Sequence, residues 1–83
     1  FLRIQSSGNI AISGLQSPSP PTNQGIFMCN VGTSNIQLLS DNTGSSANNR
    51  FLIGGNKTIQ GDEGIMLIYD NITLRWRSQA IQI

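Results

Sequence analysis

A chain of 83 residues can form one small domain, and a domain of this size buries only about 60% of its unfolded surface. It has a single cysteine, no histidine, a formal net charge of +1 and only 11% charged residues. This composition excludes an internal disulfide and a histidine-based catalytic triad, and it disfavours nucleic acid or an anionic membrane as a partner. Association with other chains is the remaining way to supplement so small a core.

Apolar residues recur at every second position in short runs, which predicts strands and no helix of useful length. Eight strands are predicted in chain order, over residues 1–5, 9–15, 26–31, 36–41, 51–53, 58–60, 65–70 and 74–80, with residues 81–83 as a tail. Strands of this number and spacing indicate one all-β domain over residues 1–83, a small antiparallel β-sandwich or jelly-roll-like barrel.

The connections between these strands are of two kinds. A proline-rich connector at residues 16–24 holds all three prolines and is predicted to cross between sheets, and a polar loop at residues 42–49 is predicted to be exposed and tolerant of change. Short turns at residues 32–35 and 71–73 are predicted to close hairpins between the third and fourth strands and between the last two. The turn at residues 61–64 is expected to use its glycines for positive φ angles.

Two predicted strands carry apolar residues on both faces. In residues 26–31 and again in residues 65–70, both alternating sets of side chains are largely apolar. A sheet with one wet face does not need this, so another layer or another chain is expected to cover the second face. The candidate interface is Ile26, Met28, Met66 and Ile68, and the predicted structural core is Phe27, Phe51, Leu67, Tyr69 and Trp76.

Few side chains are candidates for chemistry. Cys29 falls inside an apolar strand, which predicts an inert core thiol. Asp62 and Glu63 fall in a predicted turn and do not form the facing pair that sugar hydrolysis requires. The loop that begins at Asp41 has the composition of a calcium loop but lacks the closing glutamate, so no metal and no cofactor is predicted. We therefore expect a protein that is not an enzyme.

Arg50 is expected to be held by a carboxylate. It directly precedes Phe51, a predicted core residue, and an unpaired guanidinium beside the core would be costly. We assign the ion pair to Arg50 and Asp70, with Asp41 as the alternative acid.

Trp76 and Tyr69 leave a second function open. An exposed aromatic ring could stack on a sugar or anchor a contact, which would make the chain a carbohydrate- or receptor-binding module. Both residues alternate in phase with Leu67 and Leu74, however, which favours a place in the core. A binding module should expose such a ring on a concave face, whereas a structural module should bury it.

The chain from about Gly25 to Arg77 carries an ordered set of short motifs. These are Asn30-Val31-Gly32-Thr33, Ile36 and Leu38, Asn49-Arg50-Phe51, Gly61 and Gly64, Tyr69-Asp70, and Arg75-Trp76-Arg77. In order and spacing they resemble a small β module of tailed-bacteriophage virion proteins, found in capsid decoration proteins and in tail-fibre or spike domains. The proline-rich connector has no counterpart in that pattern.

The resemblance implies a function. It implies a non-enzymatic structural protein located in the virion, a homo-oligomer with a trimer favoured, which packs on neighbouring virion proteins. From a projecting position such a module would meet a host surface glycan. Neither a nucleic acid nor a membrane is expected as a partner.

Overall fold

The computed structural model describes residues 1–78. This part of the chain contains β1 Leu2–Ile4, β2 Ile10–Ile12, β3 Gly25–Asn30, β4 Ile36–Leu38, a 3-10 helix Ala47–Asn49, β5 Lys57–Ile59, β6 Gly64–Asp70 and β7 Arg75–Ser78. The all-β class is as predicted. The predicted tail at residues 81–83 and the end of the last predicted strand lie outside the described residues. Within residues 1–78, no helix has the length and hydropathy needed to cross a bilayer.

The strands form two mixed sheets. Sheet A has the order β1-β3-β6-β7, and sheet B has the order β2-β4-β5. β1 runs parallel to β3 and β2 runs parallel to β4, whereas the other neighbouring strands are antiparallel. The expectation of purely antiparallel sheets is therefore wrong. The predicted strand at residues 51–53 is also absent, and Phe51 makes only isolated bridges to Ser40 and Trp76.

Residues 2–12 and residues 28–38 form two stacked strand–turn–strand units, which we call the first arch and the second arch. In both sheets the parallel partner lies 26 residues further along the chain, as in Leu2↔Met28 and Ile10↔Ile36. The same register continues into the turns, where Val31 N donates to Ile4 O at 2.9 Å and Ile10 N donates to Asn35 O at 3.1 Å. The second arch therefore repeats the first, one strand spacing away.

This stacking overturns the first predicted hairpin. The turn at residues 32–35 carries the chain from sheet A to sheet B, so β3 and β4 face each other across the core and do not pair. Small polar residues suit both kinds of turn, and the parallel register with the first arch decides between them. The second predicted hairpin is confirmed over the described residues, since β6 pairs antiparallel with β7 and Leu74 N donates to Asp70 O at 2.8 Å.

The turn between β5 and β6 differs from expectation in its backbone. Asp62, not a glycine, adopts the positive φ of 66°. Gly61 serves a close approach instead, because a Cβ at this position would lie 2.6 Å from Gly32 O in the turn of the second arch. The glycine therefore allows two turns to touch, which a side chain would prevent.

The core lies between the two sheets. Its buried side chains are Met28, Ile36, Leu38, Phe51, Ile53, Ile59, Leu67, Tyr69 and Trp76. The ring of Trp76 meets that of Tyr69 edge-on at a centroid distance of 5.1 Å, and its Nε1 donates to Leu15 O at 3.0 Å. Leu15 directly precedes the connector at residues 16–24, which crosses from sheet B to sheet A as predicted.

The polar loop at residues 42–49 is more than an exposed connection. Asn48 O accepts a hydrogen bond from the Tyr69 hydroxyl at 2.8 Å, and Asn49 O accepts one from Leu15 N at 2.9 Å. The Asn49 side chain also accepts a bond from Ser17 N at 2.9 Å. The loop therefore ties the connector to the end of the core, and the Asn49 side chain is not free to vary.

Candidate functional site

The groups that the sequence offers for chemistry are not brought together. Among residues 1–78, no three Cys, Asp or Glu side chains are placed to hold a metal ion. Asp62 and Glu63 are exposed in their turn, where Glu63 Oε1 accepts a hydrogen bond from Gln60 N at 2.7 Å. Asn42 Oδ1 likewise accepts one from Gly44 N at 2.8 Å. The side-chain oxygens of Glu63 and Asn42 thus accept hydrogen bonds that stabilise turns.

The apolar residues on the side of sheet A that faces away from sheet B form the main surface feature. β3 presents Phe27 and Cys29 there, and β6 presents Met66 and Ile68, because alternate residues of a strand point to opposite faces. Phe27 and Met66 are direct cross-strand partners. Phe1 packs beside Phe27. We call these five residues the outer apolar face.

A glycine leaves room for an aromatic pair on this face. A Cβ at Gly64 would lie 2.5 Å from the Cζ of Phe27, so the ring of Phe27 lies directly over the bare backbone of β6. The ring of Phe1 stacks on it at a centroid distance of 5.7 Å and an interplanar angle of 24°. Phe1 remains 79% exposed and Phe27 38% exposed. The pair is thus an apolar projection exposed on the outer side of sheet A.

Charged residues border the outer apolar face and do not interrupt it. Arg3 on β1 is the register partner of Cys29, and Arg77 on β7 is the register partner of Ile68. Arg77 Nε lies 3.5 Å from Asp70 Oδ2. An apolar centre with a charged border is the usual arrangement of a protein contact.

The outer side of sheet B is different in character. Ala11, Gln37 and Thr58 are exposed and lie in register across its three strands. Together with Asn9 and Asn35 they line a shallow groove. Ile10 also lines the groove, whereas the other lining residues are polar or small. None is charged, so this surface costs little to desolvate.

Four of the five predicted core residues lie in the core. Phe51, Leu67, Tyr69 and Trp76 are each at most 1% exposed. Phe27 is the exception, because β3 turns its other set of side chains inward. That set includes the polar Asn30, which is 1% exposed. Cys29 shares the outward phase and is partly exposed, so the prediction of a core thiol is also wrong.

The predicted interface residues separate between the two sides of sheet A. Met66 and Ile68 belong to the outer apolar face, and Ile68 is 42% exposed. Met28 is fully buried, and Ile26 packs against the core from the same inward phase. The phase error that misplaces Phe27 misplaces these two as well, so on β3 the outward pair is Phe27 and Cys29.

The ion pair of Arg50 is with the alternative acid. Arg50 Nη1 lies 3.7 Å from Asp41 Oδ1, and its Nε donates to Ser45 O at 3.0 Å. Arg75 Nε shares the same carboxylate oxygen at 3.3 Å. Asp70 pairs with Arg77 instead, so the assignment of Arg50 to Asp70 is wrong. Residues 40 and 51 form a parallel bridge, and this brings the adjacent Asp41 and Arg50 together.

Asn30 belongs to the motifs that carry the resemblance, but the sequence did not reveal its structural role. Its Nδ2 donates to Ser34 O at 2.7 Å and to Ile59 O at 3.0 Å, and its Oδ1 accepts from Gly32 N at 3.1 Å. One side chain thereby closes the turn of the second arch and joins sheet A to β5 in sheet B. An Asn two positions before the glycine of a turn is the available signal, because Asn often bonds the backbone two residues further on.

Comparisons with protein-family models, with curated proteins and with solved structures find no match to this chain.

Proposed function

We propose that the protein is a non-enzymatic structural module that associates with copies of itself through the outer apolar face. The assignment to a virion, as a capsid decoration or tail-fibre module with a sandwich-like fold, rests on the resemblance of the motifs between Gly25 and Arg77 to phage β modules. The preference for a trimer rests on the same resemblance. The choice of surface rests on the geometry of sheet A.

One observation carries the proposal: the centre of sheet A is apolar on both sides. Phe1, Phe27 and Ile68 are 79%, 38% and 42% exposed and lie in one uncharged patch with Met66. Soluble monomers rarely keep contiguous apolar patches of more than a few hundred Å². Covering this patch gains about 25 cal/mol for each Å² of apolar surface removed from water.

The distribution of charge agrees with repeated contacts. No residue between Arg3 and Asp41 is charged. The groove on sheet B is uncharged as well, and Arg3 and Arg77 lie at the border of the outer apolar face. The centres of both surfaces can therefore be buried without burying a charged side chain. The outer apolar face fits another copy, and the polar side of sheet B fits neighbouring proteins of an assembly.

The alternative of a carbohydrate-binding module loses its principal candidates. The chain has one tryptophan and one tyrosine, and Trp76 and Tyr69 are 1% and 0% exposed. Neither can stack on a sugar ring. The groove on sheet B offers amides and a hydroxyl but no aromatic ring, and aromatic stacking is a principal source of affinity for sugars in a shallow site.

Light scattering at micromolar concentration tests the proposal. We expect a mass of three times the 9.0 kDa of one chain. Ile68→Glu should weaken association by about a hundredfold or more, because it buries an unpaired carboxylate at the contact. Ile68 is 42% exposed in the monomer, so the new carboxylate stays hydrated there and the variant should fold.

The matched control is Ile72→Glu. Ile72 is 88% exposed in the turn between β6 and β7, outside the outer apolar face. It makes the same change of charge and size and should leave the oligomer intact. A wild-type protein that stays monomeric, or an Ile68→Glu variant that associates as the wild type does, would contradict the proposal.

A further inference from the structure

The first arch has a free backbone edge in both sheets. β1 is the outermost strand of sheet A and β2 is the outermost strand of sheet B. Ile4, Ile10 and Ile12 form backbone hydrogen bonds with the second arch, so their backbone N–H and C=O groups point toward it. Because successive residues of a strand point in opposite directions, the N–H and C=O groups of Arg3 and Ala11 point to the free side. Nothing within residues 1–78 bonds to them.

The free edge of the first arch is equivalent to the edge of the second arch on which the first arch packs. The second arch receives the first through the backbone of residues such as Val31, Asn35 and Leu39. The residues 26 positions earlier are Gln5, Asn9 and Ser13, and they directly adjoin the strands that this offset aligns, Leu2–Ile4 and Ile10–Ile12. The first arch therefore presents outward the same set of donors and acceptors that the second arch presents to it.

Burial is incomplete at the same edge. Ile10 and Ile36 are register partners on the inward side of sheet B, yet Ile36 is fully buried and Ile10 is 39% exposed. Leu2 is likewise only partly buried, whereas its partner Met28 is fully buried. The core is thus open at the first arch, because nothing among the described residues covers that end.

The other outer strands carry charges that discourage edge pairing, and β2 does not. β5 contains Lys57, and β7 contains Arg75 and Arg77. Charged residues are a common protection for edge strands. β2 reads Ile10-Ala11-Ile12 and has no charge, no proline and no bulge. Arg3 on β1 is the only charged side chain in either strand of the first arch.

We propose that the free edge of the first arch binds a strand–turn–strand segment of another polypeptide chain. The segment pairs in parallel with β1 and β2 together. Its pattern is that of the first arch itself, with apolar residues at alternate positions, a five-residue polar turn ending in Asn, and again apolar residues at alternate positions. An acidic residue should stand beside Arg3, since like charges on adjacent strands repel.

The probe is a labelled peptide with the sequence of residues 1–13 in which Arg3→Glu has been made. Residues 1–13 already dock on the second arch, so this peptide has the required backbone and side-chain pattern. The host is the full chain carrying Ile68→Glu, which removes association through the outer apolar face from the measurement. Fluorescence anisotropy should show saturable binding, and a scrambled peptide should show none. The peptide that keeps Arg3 should bind about tenfold more weakly.

Two proline variants of the host locate the binding. Ala11→Pro removes a donor on the free edge and leaves the bonds between β2 and β4 intact, since Ile10 and Ile12 make them. It should weaken peptide binding by about tenfold or more, as expected for a lost hydrogen bond plus a steric block. Thr58→Pro makes the same change at an outward-facing position on the opposite edge of sheet B and should leave binding unchanged.

Three outcomes would overturn the inference. The first is no binding of the Arg3→Glu peptide to a folded host. The second is equal loss of binding in Ala11→Pro and Thr58→Pro. The third is a dimer of the Ile68→Glu host that Ala11→Pro dissociates, which would show that the edge pairs with a second copy of this chain. None of these results depends on whether the wild type associates through the outer apolar face, so the two proposals fail separately.

Discussion

Replacing Asn30 with alanine should remove the side-chain hydrogen bonds that close the turn of the second arch. The Asn30 side chain is 1% exposed and makes three hydrogen bonds, to Ser34 O, Ile59 O and Gly32 N. A hydrogen bond contributes about 1 kcal/mol net, and each buried partner left unpaired adds a further cost of about 1 kcal/mol or more. The loss in the free energy of unfolding should therefore be about 3 to 5 kcal/mol.

That loss is large for this domain. At roughly 0.05 to 0.15 kcal/mol per residue, a chain of 83 residues has a total stability of about 4 to 12 kcal/mol. Urea unfolding can be followed by the fluorescence of Trp76, the one tryptophan, which is buried. With an m-value of about 1 kcal/mol per M, the midpoint should fall by about 3 to 5 M or the variant should be unfolded in water. The Ile68→Glu background keeps association out of the measurement.

The control is Asn35→Ala in the same turn. Asn35 is exposed, and the bond it makes to Asn9 Oδ1 uses its backbone N–H, which the substitution keeps. The control should change the free energy of unfolding by less than about 0.5 kcal/mol. If Asn30→Ala costs no more than Asn35→Ala, then the side chain of Asn30 does not join the sheets and the explanation of the arch is wrong.

Three further substitutions test other parts of the fold. Trp76→Ala should cost about 3 to 5 kcal/mol of unfolding free energy in urea titrations, and an unchanged midpoint would contradict its place in the core. Gly61→Ala should cost about 1 to 3 kcal/mol because its Cβ meets the backbone of the neighbouring turn, whereas Gly8→Ala, with nothing within 4 Å, should be nearly neutral. The pKa of Asp70 lies below its ordinary value, chiefly because its carboxylate accepts a hydrogen bond from the Ile72 N–H and also one from the Thr73 hydroxyl. The stabilisation is therefore complete at neutral pH and is lost as the pH falls through the lowered pKa, so Asp70→Asn should lower the melting temperature at neutral pH and not in strong acid.

The sequence was sufficient for most of the strands, with residues 51–53 the exception, and insufficient for the phase of β3. In β3 the set Phe27, Cys29 and Val31 is wholly apolar, whereas the set with Met28 includes Asn30. Hydrophobicity alone favours turning the first set inward. The fold does the reverse, because Asn30 finds three partners in the turn and in β5, and these partners are distant or unformed when the strand is considered alone.

The pairing of the arches had a signal in the sequence that periodicity within single strands does not detect. Asn9-Ile10-Ala11-Ile12 and Asn35-Ile36-Gln37-Leu38 share the order Asn, Ile, any residue and an aliphatic residue, 26 positions apart. A repeat at a fixed spacing is typical of stacked parallel units. Two copies are too few to stand out by eye, and small polar turns are equally compatible with a hairpin.

The outer apolar face was also predicted only in part from the sequence. Apolar residues on both faces of two strands correctly indicated that sheet A has a second apolar side, and Met66 and Ile68 lie on it. The aromatic pair was not foreseeable. Phe27 lies over Gly64 because β3 and β6 pair in a register that places the ring beside a glycine, and that register is a property of the folded sheet.

The central claim is that copies of the chain meet on the outer apolar face, and the reactivity of Cys29, compared between the wild type and Ile68→Glu, tests it most directly. Cys29 is the only cysteine, lies on that face and is partly exposed. Its rate of reaction with a thiol reagent should be measured across the concentration range in which light scattering shows association. We predict that the rate falls as the oligomer forms and that Ile68→Glu keeps the fast rate throughout. A rate that stays constant while the mass rises would place the contact elsewhere and contradict the claim.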